Sequence, residues 1–145
     1  MYHKLLLAYN GSHEGKVALL ECADLAKFSG AEIHLLAIVP LQPSVFLAEG
    51  YVPDNLLAED TERYRTILNE GVDALRERGF EQVQGHLVTG EAVTEVCRFA
   101  QELGCDLIVV GHRHRTSWAD RWWNSSVGSS LVEYAPCSIL VSISH

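Results

Sequence analysis

The sequence predicts an α/β domain, a doubly wound five-stranded parallel sheet with helices on both faces. Three observations carry this expectation. Five short runs, Lys4–Tyr9, Glu32–Val39, Gln82–Val88, Asp106–Val110 and Ser138–Ile143, alternate with four stretches of helical period. Most of these runs are apolar almost throughout, as strands covered on both sides of a sheet must be. Each connection between runs carries a helix, so neighbouring strands can run parallel through right-handed crossovers.

The elements follow in order. Lys4–Tyr9 (KLLLAY) reads as a buried strand. Asn10-Gly11-Ser12-His13 then turns, and Ser12 suits the N-cap of a helix. In Glu14–Phe28 the residues Val17, Leu20, Leu25 and Phe28 recur at helical spacing, and Gly30 ends the pattern. Glu32–Val39 is a second strand, closed by Pro40. From Pro40 to Leu57 there is Pro43, Gly50 and Pro53 but no clean period, which predicts a long irregular connection. Glu59–Arg78 is a long amphipathic helix with Tyr64, Ile67, Leu68, Val72 and Leu75 on one stripe and Gly79 beyond its end. Gln82–Val88 alternates as a strand does, and Thr89-Gly90 reads as a turn. Ala92–Leu103 is helical through Val93, Val96, Cys97 and Ala100. Asp106–Val110 is a strand expected to break at Gly111. After a polar loop, Ser126–Tyr134 is helical, Pro136 stops it, and Ser138–Ile143 closes the sheet.

Composition narrows the function. A chain of 145 residues fits one domain over 1–145. Its formal net charge of −8 repels phosphate backbones and anionic lipid, so neither nucleic acid nor membrane is an expected partner. The first strand begins close to Met1 without a charged-then-apolar leader, which makes the cytoplasm the expected compartment. Cys22, Cys97, Cys105 and Cys137 lack CxxC spacing and read as reduced, buried thiols. His112 and His114 form an i, i+2 pair without a nearby cysteine or acidic cluster, a poor zinc signal. There is no GxSxG, HExxH or P-loop motif, so the residues do not indicate catalysis.

What they indicate is an anion site. In a doubly wound sheet, ligands sit beyond the carboxyl ends of the strands where strand order reverses. The loops after the first and fourth strands both leave from that edge. The second of them runs from Gly111 through Arg113, Arg115 and Arg121 to the helix start at Ser125, Ser126 and Val127. Free backbone N–H groups at a helix start, with the positive end of its dipole, favour a phosphate. Arg113 stands nearest the strand end. Blander readings remain open: Gly111 as a strand-end turn, and the arginines as solvated surface charge. Trp118, Trp122 and Trp123 lie in the same loop and either pack over the sheet or meet a protein partner.

Several blocks, LLLAYNGS, LLAIVP, Gly90-Glu91, CDLIVVGHR and SSVGSSLVEYAPCSILV, resemble the universal stress protein family over nearly the whole chain. The resemblance implies a Rossmann-like fold of the adenine nucleotide alpha hydrolase type and a cytoplasmic stress-response or signalling role. One branch of that family binds ATP through a loop of the pattern GxxGx9G[ST]; the other has lost it. Gly111 matches the first glycine. His114 stands at the second, and Ser125 stands where the third would precede Ser126, an alignment that leaves the loop one residue long. The resemblance also puts Ile38 where the backbone meets adenine, and Asn10 where an aspartate faces the ribose. It thus implies an altered pocket of Asn10, Ile38, Gly111, Arg113, His114, Ser125, Ser126 and Val127, with ATP and magnesium as the cofactors. The competing reading is an interaction module without nucleotide that uses Trp118, Trp122 and Trp123. Finally, Ser138–Ile143 has no lysine or proline to blunt an edge, and the family often pairs this strand with its copy, so a homodimer is expected.

Overall fold

In the computed structural model, residues 1–41, 54–113 and 131–144 are described. Five parallel strands lie in the order β3-β2-β1-β4-β5. They are β1 (Lys4–Ala8), β2 (Glu32–Pro40), β3 (Gln84–Gly90), β4 (Leu107–Arg113) and β5 (Ser138–Ser144). Between them run α1 (His13–Ser29), α2 (Asp54–Glu77) and α3 (Ala92–Leu103), and residues 131–134 are helical ahead of β5. The alternation expected from sequence is thus what is found.

The central strand explains the order. Leu5, Leu6 and Leu7 are fully buried, so β1 needs a strand at each edge and a layer on each face. Leu5 pairs with Ile33 of β2 on one side and with Leu107 of β4 on the other. Alternate side chains then feed two cores. Leu5, Leu7, Leu35 and Val109 pack with Ala18 and Cys22 of α1 and Leu75 of α2. Leu6, Leu36, Ile108 and Val110 pack on the other face with Val96 and Ala100 of α3 and with Leu131. Each core is continuous across the sheet, which is the two-faced layering the apolar runs predict.

Helix ends are set by local chemistry. Ser12 accepts a hydrogen bond from the Gly15 N–H at 3.1 Å, as an N-cap does. Gly30 takes the left-handed conformation at φ 74° and ends α1. At α3 the cap is Glu91, whose carboxylate accepts from the N–H groups of Val93 and Thr94 and from the Thr94 hydroxyl. Burial pushes that carboxyl up, but the three bonds from Thr94 and Val93 outweigh it and hold its pKa below 4.5. The cap's contribution is therefore complete above the unfolded value and is lost as pH falls through the lower folded value. Glu91→Ala should cost about 1 kcal/mol at neutral pH, read as a fall of ~3 °C in Tm, and the difference should shrink in acid.

Three boundaries correct the sequence reading. β4 does not break at Gly111; it continues to Arg113, pairing Gly111 with Ser142 and Arg113 with Ser144. Thr89 and Gly90 do not turn but extend β3 to pair with Val39 and Pro40, while Gln82 and Val83 precede the strand. α2 starts at Asp54, inside the stretch read as irregular, because β2 and α2 leave a shorter connection than the prolines suggested. Of the predicted helix Ser126–Tyr134, residues 126–130 lie outside the described residues. All four cysteines are free thiols, Cys22 and Cys105 buried, and burial pushes Cys22 up to about 12.

Candidate functional site

β1 and β4 are neighbours whose chain continues to opposite faces: α1 packs on one side, and the helical turn with Leu131 on the other. Their carboxyl ends are the reversal point of the sheet. Asn10 lies just past β1, Ile38 near the end of β2, and Gly111 and Arg113 at the end of β4. The Tyr9 N–H donates to the Leu36 carbonyl at 2.9 Å, holding the end of β1 against β2. The fold thus gathers these four residues on three adjacent strands. His114, Ser125, Ser126 and Val127, and Trp118, Trp122 and Trp123, lie outside the described residues.

Asn10 is tied into the start of α1. Its Oδ1 accepts from the Ser12 N–H at 3.1 Å and from the Ser12 hydroxyl at 2.5 Å, an Asx turn that sets up the Ser12 cap. A ribose hydroxyl cannot use that oxygen without dismantling the cap. Among the described residues, nothing accepts from the Asn10 amide N–H groups, and these are what Asn10 can offer a ligand. Gly11 follows at φ 76°, and a Cβ there would meet Ile67 Cγ2 of α2 at 2.9 Å. Gly11 therefore answers both to conformation and to close approach.

Gly111 has a packing role that sequence reasoning missed. A Cβ there would meet the Glu14 carbonyl oxygen at 2.4 Å and its carbon at 2.8 Å. The first turn of α1 rests on bare backbone of β4. This is the glycine of close helix–strand contact, rather than a strand-end turn. The next residue faces the other way. His112 alternates with Ile108 and Val110 toward the α3 side, and its Nδ1 is buried without a hydrogen-bond partner among the described residues. Ser142, beside Gly111 in β5, has an equally unpartnered buried hydroxyl. The i, i+2 spacing of His112 and His114 does not reveal this burial; strand alternation carried past Gly111 places His112 on this face. Ile38 is half-buried on that same side, paired with Val88.

Arg113 is exposed at the strand end, and no carboxylate among the described residues pairs with it. The donor set is a cation with amide N–H groups, which suits phosphate and hydroxyl oxygens. Among the described residues no three His, Cys, Asp or Glu side chains converge to hold a metal ion. A cleft of about 290 Å³ lies at the opposite end of the sheet, lined by Gly30, Glu32, Gly79, Phe80 and Glu81. Two helices end there, and carbonyl ends beside two glutamates disfavour an anion.

Comparison with known proteins points to one family and one fold. Residues 1–142 match the sequence model of the Universal stress protein family. A Staphylococcus haemolyticus relative, a universal stress protein by name, is 30% identical over 142 residues, 97% of this chain and 84% of its own. A solved universal stress protein family structure from Burkholderia pseudomallei is similar at a TM-score of 0.75 and 25% identity, covering 97% of this chain and 95% of its own. The universal stress protein of Archaeoglobus fulgidus, solved in complex with dAMP, has a TM-score of 0.69 at 20% identity and covers 97% of each chain. At that identity the likeness speaks for the fold alone.

Proposed function

The chain belongs to the universal stress protein family, and from that premise we propose that it is a non-catalytic, cytoplasmic stress-response module holding an adenine nucleotide. The nucleotide lies beyond the carboxyl ends of β1, β2 and β4. One observation carries the reading: Asn10, Ile38, Gly111 and Arg113 stand at or just past the carboxyl ends of three adjacent strands, beside the reversal point of the sheet, with Arg113 unpaired among the described residues. The dAMP held by the similar Archaeoglobus fulgidus protein supports adenine as the base. Adenine meets the carboxyl end of β2 at Ile38, Asn10 donates to the sugar, and Arg113 with the amides of Ser125 to Val127 takes the phosphates, with His114 at the loop's second glycine position. Magnesium enters with ATP, on the phosphates.

Calorimetric titration with ATP and magnesium, and with AMP, tests this, alongside mass spectrometry of the denatured protein for released nucleotide. Saturable heat in the wild type is expected, and Arg113→Ala should weaken it roughly 10- to 100-fold, as loss of a charge-assisted bond does. No heat and no released nucleotide would sink the reading. The commitment of the Asn10 oxygen to the Ser12 cap favours the alternative in that case. The module would then act through protein contact at Trp118, Trp122 and Trp123.

We further propose a homodimer in which β5 pairs with its copy. Leu140 and Ile143 remain exposed at 37% and 52%, and Val132 and Tyr134 are exposed just ahead of the strand. The opposite edge, β3, shows solvent Gln84, Gly85 and Thr89 instead, so β5 is the apolar edge.

A further inference from the structure

Away from the reversal point, two imidazoles meet under α3. His34 of β2 is only 4% exposed, and its Nδ1 lies 3.1 Å from Nε2 of His86 on the edge strand β3. The ring planes are 19° apart and the centroids 5.3 Å apart. The centroid distance exceeds the N···N distance by about two ring radii, so the rings meet end to end rather than face to face. That is the geometry of an N–H···N hydrogen bond, in which one ring donates and the other accepts. On its far side, His34 Nε2 lies 3.5 Å from Glu32 Oε2. His86 in turn leans on Phe99 of α3, with centroids 5.4 Å apart.

We propose that Glu32, His34 and His86 form an acid-sensitive latch between β2, the edge strand β3 and α3. The row holds one bridging N–H between the two rings, and the far nitrogen of His34 faces Glu32. A further proton on the pair sets a donor against a donor across the 3.1 Å gap and puts a positive charge at a buried position. His86, half-buried on an edge strand, is the ring free to swing out, leaving Phe99 and loosening β3 from β2. β3 also carries Val88, the partner of Ile38.

The surrounding groups leave this balance to the row itself. From β1, Lys4 lies 4.0 Å from Glu32, drawing on the same carboxylate. From α3, the Arg98 guanidinium covers Phe99 but is held by Glu95 and Glu102. The thiols Cys97 and Cys105 on this face are raised by burial and stay uncharged across the range. Burial, and after it His34, hold His86 below the ordinary 6.5. The folded state therefore binds fewer protons than the unfolded one, and stability is lost as pH falls below that value.

The test is an NMR titration of the histidine ring protons in wild type from pH 8 to 5. It is run with amide exchange across β3 and with melting curves of wild type and His86→Gln. The His86 ring should titrate below 6.5, both rings should shift together, β3 amides should exchange faster over the same range, and His86→Gln should flatten the acid loss of Tm. A His86 ring that titrates at or above 6.5 without disturbing His34 overturns the latch. So do wild type and variant losing stability in parallel. If the variant does not fold, the wild-type titration decides alone.

Discussion

Gly111→Ala should lower stability by about 3 kcal/mol, a fall of roughly 10 °C in Tm, far more than an added methyl costs at a surface. The new Cβ would lie 2.4 Å from the Glu14 carbonyl oxygen and 3.2 Å from the Gly15 nitrogen. These are backbone atoms, so no rotamer change relieves the clash; α1 must lift off β4. Lifting α1 also strains the Asn10–Ser12–Gly15 hydrogen bonds, so nucleotide affinity should fall together with stability. The measurements are thermal melts and calorimetry of the same preparation. Gly111→Ala with unchanged Tm would contradict the packing role, whatever happens to binding. An unchanged Tm with lost affinity would instead return the glycine to the ligand.

The second large effect is on assembly. Ile143→Asp should leave the fold intact, because the side chain is half exposed, and yet convert the proposed dimer to monomer. In a two-fold arrangement the substitution acts on both copies, placing two carboxylates in what was an apolar seam. A buried, unpaired charge costs at least ~3 kcal/mol, or about a 100-fold weaker association. Light scattering at tens of micromolar reads the outcome. A wild type that is already monomeric, or a variant that stays dimeric, argues against β5 as the interface. Val141 is a poorer probe, since it packs against the α3-side core.

The fold was legible because its signals are local and repeated. KLLLA is a short apolar run closed by turn residues, which favours a two-faced strand, and Ser12 and Gly30 mark helix ends by the hydrogen bonds and dihedral they permit. At the candidate site, loop chemistry singled out Gly111 and Arg113 and the family resemblance singled out Asn10 and Ile38; what was legible is that all four stand at the carboxyl ends of neighbouring strands. Its details depend on contacts between residues distant in sequence. Nothing near Gly111 announces that Glu14 will rest on it, and a glycine ahead of polar residues looks like a break. Asn10 reads as a ligand residue until Ser12 takes its oxygen. The His34–His86 bond spans 52 positions and two strands, beyond any periodicity. The loop pattern was ambiguous in sequence itself. Laid without a gap from Gly111, it puts its third glycine at Asn124 and its hydroxyl at Ser125, and asparagine tolerates the left-handed conformation better than serine.

The place of β1 between β2 and β4 has a consequence for biosynthesis. Asp106 accepts from the Lys4 N–H, a bond spanning 102 positions, and from the His3 N–H beside it. At ~5–20 residues per second, roughly 5–20 s of translation separate the two partners. Through that interval β1 can close only against β2, and the apolar edge of Leu5–Leu7 faces outward from a nascent chain. Long-range pairing of this kind is slow to nucleate and open to misassociation. The strand that orders the finished sheet thus spends those seconds with one edge bare.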